Sequence, residues 1–213
     1  MVSMAQMHLS EKPPKMKIPP NPPAGMPIRW VVVGTSGSGK SHLARRLEAQ
    51  LGVVHIELDQ HHWLPNWQER PDDEMRQLVQ AEMDKAATTP PHGWAVCGGY
   101  SQHRHWLWPQ ANGVVWLNYS FGRTFWRVLV RTLRRIFLKE LACNGNRETF
   151  GKSFFTKESI IWWMMTTHRR RKKEYRGLQT EGEFSKVQWY EFTHPRQVEA
   201  WLKALPDKAP YLP

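Results

Sequence analysis

The residues best suited to chemistry lie in a glycine-rich stretch, GTSGSGKS, that runs from Gly34 to Ser41. The stretch fits the pattern G-x-x-x-x-G-K-[S/T], and the runs around it predict a strand before and a helix after, as a phosphate-binding loop requires. Glycines let such a loop fold closely around oxygen atoms, so that its backbone N–H groups point at phosphates. We therefore expect ATP and Mg²⁺ to bind here, with the Lys40 ammonium on the β- and γ-phosphates and the Ser41 hydroxyl as a metal ligand. The residues expected to bind the nucleotide are Gly34, Thr35, Ser36, Gly37, Ser38, Gly39, Lys40, Ser41 and His42.

A second group of candidates follows two other predicted strands and suits a phosphoryl acceptor. Asp59 ends the second strand, where a carboxylate can hold Mg²⁺ through water, orient an acceptor hydroxyl or take its proton. Gly98 and Gly99 end the third strand and allow a substrate to approach the backbone closely. Arg104 follows a few residues later, where it can hold an anion. The alternatives are a turn-capping role for Asp59 and a solvent-exposed position for Arg104.

Positive charge is concentrated in one segment of the chain. The formal net charge is +11; residues 123–176 hold fifteen Lys or Arg and four Glu, whereas the remainder holds fifteen basic and fifteen acidic residues. Such a segment faces a polyanion (nucleotide phosphates, nucleic acid or an anionic membrane), or it is a solvated face without a ligand. The segment overlaps a predicted amphipathic helix at residues 121–138. Its apolar stripe, expected to pack inward, is Phe125, Val128, Leu129, Leu133 and Ile136, and the opposite stripe is Arg123, Arg127, Arg131, Arg134 and Arg135.

The elements that must position these residues alternate along the chain. Strands are predicted at 28–33, 53–58, 94–97, 114–119 and 187–192, and helices at 40–51, 72–87, 121–138, 162–176 and 196–205. This alternation predicts an α/β fold, a parallel sheet with helices on both faces. One domain at residues 28–205 is expected between a disordered, Pro- and Lys-rich tail at 1–27 and a short C-terminal tail at 206–213.

A resemblance to a known family lies in the stretches VVVGTSGSGKSHLARRLEAQLGVVHIELDQHHWLPNW and WAVCGGYS and in the arginine-striped helix. These parts of the chain resemble the adenylate-kinase-related P-loop proteins described as topology modulation proteins. The resemblance extends over about residues 28–205. It implies the nucleoside monophosphate kinase fold: a P-loop NTPase with a five-stranded parallel sheet, an acceptor flap and an arginine-rich lid at about residues 139–165. It also implies that Arg127 and Arg131 hold the triphosphate and the transferring phosphoryl group, and that Arg169 to Arg171 lie where the lid returns. The expected catalytic residues are Lys40, Asp59, Arg127 and Arg131, and the expected acceptor-binding residues are Asp59, Gly98, Gly99, Arg104 and Arg169.

The chain departs from that family at Cys97. Such relatives usually carry Asp at the end of the third strand, before glycine, where this chain has Cys97. A ligand to a Mg²⁺-bound water is therefore missing there unless Asp59 replaces it.

These features favour an ATP-dependent phosphotransferase, a kinase acting on a nucleotide or another small acceptor. The alternatives are a nucleotide-regulated nucleic-acid-binding protein and a protein that binds a nucleoside triphosphate with little or no catalysis. A kinase requires the basic side chains to converge over the phosphate-binding loop, whereas nucleic-acid binding requires them on an outer face. The chain has no apolar run near the roughly 18 residues of a membrane span. It is therefore expected to have no membrane partner. Because it has only two cysteines, the protein is expected to be cytoplasmic.

Overall fold

The computed structural model describes residues 26–90, 93–150, 159–181, 184 and 187–206. Most of both predicted tails, and residues 151–158 of the predicted lid, lie outside the described residues. The strands described are β1 (Arg29–Gly34), β2 (Val54–Glu57), β3 (Trp63–Leu64), β4 (Gln68–Glu69), β5 (Trp94–Cys97), β6 (Gly113–Leu117) and β7 (Gln188–Phe192).

Five of these strands form one parallel sheet in the order β2–β5–β1–β6–β7, while β3 and β4 form a separate antiparallel hairpin. This confirms the predicted five-stranded parallel sheet. Because all five strands run in the same direction, their carboxyl ends meet at one edge, where Gly34, Glu57 and Cys97 lie. That edge is where ligands bind in open α/β sheets.

Helices cover both faces of the sheet, as predicted. They are α1 (Lys40–Leu51), α2 (Leu58–His62), α3 (Asp72–Thr88), α4 (Arg104–Leu107), α5 (Phe121–Phe137), α6 (Ile160–Thr180) and α7 (Pro195–Ala204). On one face, α1 and α7 pack over a cluster in which the Trp30 ring lies 5.3 Å from Tyr190 and 5.4 Å from Trp201. On the other, α3, α4 and α6 pack over a cluster in which the Trp116 and Tyr175 rings are 5.8 Å apart. None of the described helices is both long and apolar enough to cross a membrane.

The ends of the long helices follow from local sequence. Helix α1 stops at Gly52, which has φ 74° and donates its N–H to the Glu48 carbonyl, a left-handed C-cap. Helix α7 starts with a capping box between His194 and Gln197. The elements that the sequence did not predict are α2, the β3–β4 hairpin and α4. Each helix or strand among them has five residues or fewer, too few for a periodic pattern to mark it.

Helix α5 is oriented differently from the prediction. Its buried residues are Thr124, Val128 and Thr132, which recur every fourth position. Most of the stripe expected to pack inward is only partly buried: Phe125, Leu129, Leu133 and Ile136. The reason is the approach of the loop before α1, since a Cβ atom on Gly37 would lie 2.5 Å from the Thr124 carbonyl oxygen. Large side chains do not fit at such a contact, and they are displaced to the flanks of the helix.

Candidate functional site

The loop between β1 and α1 is folded as a phosphate-binding loop. Gly37 and Gly39 have φ of 76° and 96°, in the left-handed region that glycine adopts without strain. The Ser38 N–H donates to the Thr35 carbonyl oxygen at 3.1 Å, which closes the turn. The Lys40 ammonium donates to the same carbonyl at 3.4 Å. The loop is therefore curled in the manner that directs backbone donors at phosphate oxygens.

Helix α5 lies across this loop and brings Arg127 to it. The Arg127 Nη1 donates to the Ser38 carbonyl oxygen at 3.3 Å, and it would lie 3.7 Å from a Cβ atom on Gly39. The guanidinium group also lies over the Tyr119 ring, 5.7 Å from its centroid. Arg127 is thus held beside the loop by two independent contacts.

Several charged groups meet around Lys40. Burial lowers the pKa of the Lys40 ammonium, and the carboxylate of Asp59 opposes that shift. The guanidinium groups of Arg131 and Arg171 lower the same pKa further. Arg131 comes from α5 and Arg171 from α6, so two helices contribute cations to the neighbourhood of one lysine. A ligand with several negative charges would relieve this repulsion.

Arg131 is one of the enclosed cations of this cluster. Its Nε is buried and makes no hydrogen bond within the part of the chain that the structure describes. Burial lowers the pKa of Arg131 and the neighbouring Arg135 adds to the shift, whereas Glu148 and Asp59 oppose it. Arg135 itself donates to Glu148 at 2.6 Å. Arg131 therefore keeps donor capacity for an anion, while Arg135 is committed to an ion pair.

A carboxylate that was not predicted lies beside the loop serine. The Ser41 hydroxyl donates to Glu57 Oε1, and Glu57 pairs in register with Cys97 on the adjacent strand. The Cys97 thiol donates to Ser41 Oγ at 3.7 Å, and His55 Nε2 lies 3.1 Å from Cys97 Sγ. Burial and the Glu57 carboxylate raise the pKa of Cys97 to about 12, so the thiol is neutral at neutral pH. The carboxylate hydrogen-bonded to Ser41 is therefore Glu57, and the replacement of the missing Asp by Asp59 stays a prediction.

Asp59 is a second carboxylate near Lys40, and its hydrogen-bond partner is a phenol. The Tyr100 hydroxyl donates to Asp59 Oδ1 at 2.8 Å. Burial and the nearby carboxylate raise the pKa of Tyr100, which keeps the phenol protonated as a donor. This hydrogen bond orients the half-buried Asp59 carboxylate and leaves its second oxygen for another partner.

The glycines after β5 serve contacts within the protein. A Cβ atom on Gly98 would lie 2.8 Å from Leu58 Cβ, so Gly98 allows the core to close. Arg171 donates to the Gly99 carbonyl and lies 3.4 Å from the Tyr175 hydroxyl oxygen. A Cβ atom on Gly99 would lie 3.1 Å from Arg171 Nη1, so the close approach at Gly99 is made by an arginine of α6.

Three of the predicted site residues lie apart from the Lys40 cluster or are already paired. Arg104 donates to Glu174 of α6 and lies over the Trp108 ring at 5.1 Å. Arg169 is exposed on α6, and the arginine of this helix that acts on Lys40 is Arg171. His42 is exposed on α1.

The segment after β2 and the loop after α5 are joined by hydrogen bonds of side-chain amides. We call residues 58–70 the flap and residues 139–150 the cover loop. Asn146 accepts the Trp67 N–H at 2.8 Å and donates to a flap carbonyl at 2.9 Å. Asn144 donates to a second flap carbonyl at 2.6 Å. These side-chain amides hold the described part of the predicted lid against the flap.

These residues fit a Mg²⁺–nucleoside triphosphate. The hydroxyls of Thr35 and Ser38 are buried without a hydrogen-bond partner in the described chain, as is Arg131 Nε, and phosphate oxygens would satisfy such groups. The Ser41 hydroxyl and the Glu57 carboxylate are oxygen ligands of the kind that Mg²⁺ takes. No group of three His, Cys, Asp or Glu within the described residues forms a metal site.

Two residues of this site, Glu57 and Tyr100, were not predicted, and only Glu57 had a signal in the sequence. Alternate residues of a strand share a face. Ile56 and Leu58 are buried against α3, so Glu57 faces α1, where Ser41 lies. Tyr100 stands in a loop with no pattern that distinguishes it.

Comparison with known proteins supports the fold. Residues 30–116 match the family described as AAA domain, and no curated protein matches the chain. The similar solved structures include shikimate kinase from Acinetobacter baumannii in complex with shikimate. It is 14% identical, with a TM-score of 0.51 and coverage of 84% of this chain and 91% of that chain. They also include a gluconokinase from Sinorhizobium meliloti 1021, 19% identical, with a TM-score of 0.45 and coverage of 84% and 93%.

At these identities the likeness shows the fold alone. Together with the sheet order and the glycine loop, it confirms that the chain has the α/β fold of a P-loop NTPase. The finer resemblance to adenylate-kinase-related proteins stays a prediction.

Proposed function

We propose that this protein transfers the γ-phosphoryl group of Mg²⁺-ATP to a hydroxyl group of a small acceptor. The observation that carries the proposal is the convergence of Lys40, Arg131 and Arg171 with the Asp59 carboxylate beside the glycine loop. Phosphoryl transfer needs positive charge around the transferring group and a base at the acceptor hydroxyl. The nucleic-acid-binding alternative needs these cations on an outer face, and it is disfavoured for this cluster.

The glycine loop and α5 bind the triphosphate in this proposal. Backbone N–H groups of the loop and the N-terminus of α1 hold phosphate oxygens, and Lys40 neutralises the β- and γ-phosphates. Arg127, which donates a hydrogen bond to the Ser38 carbonyl, adds positive charge beside the phosphates. Ser41 and Glu57 would hold Mg²⁺, which when bound would neutralise negative charge that develops on the phosphates. Glu57 thereby supplies the carboxylate that Cys97 cannot.

Asp59 is the base in this proposal. The acceptor hydroxyl oxygen bonds to the γ-phosphorus while the bond from that phosphorus to the β–γ bridging oxygen breaks, and ADP leaves. Asp59 takes the hydroxyl proton through the oxygen that Tyr100 leaves free. Arg131 and Arg171 neutralise charge on the transferring group, and the cover loop excludes water.

The proposed acceptor is a small polyhydroxy compound with an acidic group. A cavity of about 320 Å³ is lined by Ser101, Arg170, Arg171 and Glu174. Arginines suit an anionic group, while the serine hydroxyl and the glutamate suit acceptor hydroxyls. The hydrogen bonds of Asn144 and Asn146 tie the cover loop to the flap that carries Asp59, and such a closed arrangement favours a small acceptor over a nucleotide.

A screen of ADP release from Mg²⁺-ATP tests this proposal. The acceptors are shikimate, gluconate and other sugar acids, neutral sugars, nucleosides and nucleoside monophosphates. We expect at least one hydroxy acid to stimulate ADP release, and Lys40→Ala and Asp59→Asn to reduce it by about 10²-fold or more. The matched controls are Lys85→Ala and Asp73→Asn, which change exposed residues of α3 and should retain activity.

The outcomes separate the alternatives. No stimulation by any acceptor, or ADP release that survives Lys40→Ala, contradicts the proposal. Stimulation by nucleoside monophosphates alone would overturn the acceptor class and assign the protein to the adenylate kinase type.

A further inference from the structure

The outer face of α5 is apolar. Trp126, Val130 and Phe137 recur at helical spacing, and 64% of Trp126 and 72% of Phe137 are exposed. A helix on a globular protein normally buries such a row. Here the buried side is taken by Thr124 and Thr132, because that side meets the glycine loop.

Neighbouring residues extend this apolar face. Leu138 and Leu141 follow α5 and are exposed to 63% and 56%. Trp162, Trp163 and Met165 are also exposed, at the start of α6, which packs against α5. We call these eight side chains the apolar patch: Trp126, Val130, Phe137, Leu138, Leu141, Trp162, Trp163 and Met165. Grouped exposure of large apolar side chains marks an interaction surface.

Cations border the apolar patch. Lys139 lies among the patch residues that follow α5, and Arg169 and Lys173 continue the exposed side of α6. None of these three forms an ion pair with a carboxylate of the described chain. They belong to residues 123–176, the segment that carries the excess charge of +11. The partner of this face should therefore be anionic and able to take up apolar side chains.

We propose that the apolar patch and its bordering cations dock the protein on the surface of a bilayer that contains anionic lipid. The apolar side chains enter the boundary between headgroups and acyl chains, and the Lys and Arg side chains pair with anionic headgroups. Tryptophan is enriched at that boundary. Docking of this kind needs no membrane-spanning helix, and it departs from the sequence-based expectation that the protein has no membrane partner.

The composition of the patch favours lipid over other partners. Nucleic acid binds where cations occupy the centre of the contact and neutralise phosphates. Here the eight patch side chains are apolar, and Val130, Leu138 and Met165 have no ring that could stack on bases. A second copy of the chain would bring two strongly basic segments together, which electrostatic repulsion opposes.

Docking is separable from phosphoryl transfer. The apolar patch on α5 lies opposite the side of the helix that covers the glycine loop. Changes in the patch therefore leave Arg127 and Arg131 in place, and the binding test below needs no knowledge of the acceptor.

Sedimentation of the full chain with lipid vesicles tests the proposal. Wild type should bind phosphatidylcholine vesicles that contain about a third phosphatidylglycerol, bind pure phosphatidylcholine vesicles much more weakly, and be released by salt. Trp126→Ser combined with Phe137→Ser should lower the partition coefficient about tenfold or more, because two aromatic side chains that would enter the bilayer are lost. Lys139→Gln combined with Lys173→Gln should lower it several-fold. Leu78→Ser, at an isolated exposed leucine of α3, is the matched control and should bind like wild type.

Thermal unfolding of each variant is measured alongside, and it should be unchanged because the substituted side chains are exposed. Equal binding to neutral and anionic vesicles, or anionic binding retained by the Trp126 and Phe137 double variant, would overturn the proposal. Binding to duplex or single-stranded DNA without binding to vesicles would also overturn it. So would lipid-independent self-association that the double variant abolishes.

Discussion

Replacing Gly37 with alanine should destabilise the protein more than replacing Gly145, although the two glycines have nearly the same φ angle. Their φ angles are 76° and 75°. An alanine in the left-handed region costs about 1–2 kcal/mol relative to glycine. Nothing lies within 4 Å of a Cβ atom on Gly145, so this strain is the whole expected cost there.

A Cβ atom on Gly37 meets two atoms of α5 in addition. It would lie 2.5 Å from the Thr124 carbonyl oxygen and 2.6 Å from Val128 Cγ2. The second distance is about 1 Å shorter than an ordinary carbon–carbon contact. Neither neighbour can yield freely, because one is helix backbone and the other is a fully buried side chain. Overpacking of this kind adds about 1–3 kcal/mol, so Gly37→Ala should cost about 2–5 kcal/mol in total.

Urea unfolding followed by circular dichroism measures both free energies. Gly122→Ala is a second control, because nothing lies within 4 Å of a Cβ atom there and alanine favours the helix. Gly37→Ala should also lower phosphoryl transfer, since a displaced α5 carries Arg131 away from Lys40. If Gly37→Ala and Gly145→Ala lose the same free energy of unfolding, α5 does not press on the loop and the account of its orientation is wrong.

The remaining predictions concern single side chains. Arg131→Ala should reduce phosphoryl transfer by about 10²-fold or more. The control Arg123→Ala, nearer the start of the same helix, should change steady-state kinetics little. Equal losses of activity in the two variants would refute a special role for Arg131. Glu57→Gln should raise the Mg²⁺ concentration for half-maximal activity by about tenfold, and an unchanged Mg²⁺ titration would remove Glu57 from the metal site. Stability should fall as the pH drops below about 6.5, because burial lowers the pKa of His103 and His168. Between the ordinary pKa of histidine and the lower pKa values in the folded protein, the unfolded chain binds more protons than the folded chain. The free energy of unfolding therefore decreases as the pH falls through this range. Urea unfolding at about pH 7.5 and 5.5 should show a smaller loss for His168→Phe than for wild type, and an equal loss would exclude His168 as a cause.

The glycine loop and the sheet were predictable from the sequence because their patterns are local. Each strand of the sheet is a short apolar run, and the loop motif itself demands a strand before it and a helix after it. Parallel strands must be joined by crossovers, so the alternation of strands and helices left few topologies. The position of Lys40 at the carboxyl edge of the sheet followed from those two facts.

The position of Glu57 was harder to predict because it depends on elements far apart in the chain. Glu57 contacts Ser41 because β2 pairs with β5 in the register that places Glu57 beside Cys97. A missing Asp at Cys97 suggested a replacement from the end of the next strand, and the sequence offered Asp59. The chain turns into α2 directly after Glu57, so Asp59 is carried to Tyr100 instead.

One packing contact of helix α5 determines which of its side chains face the glycine loop and which face outward. Its sequence has apolar residues on more than one side, so amphipathicity alone allows two buried faces. Contact with Gly37 selects the narrow face of Thr124 and Val128, because only that face lets the two backbones approach. Arg131 then falls at the edge of the buried face, and Trp126 falls outside it. This orientation of α5 also separates the cations of the basic segment into two groups. Those near the loop are available to phosphates, and those on the outer side border an apolar surface. If Gly37→Ala shifts α5, phosphoryl transfer should therefore fall while vesicle binding persists, since only the inner set depends on that contact.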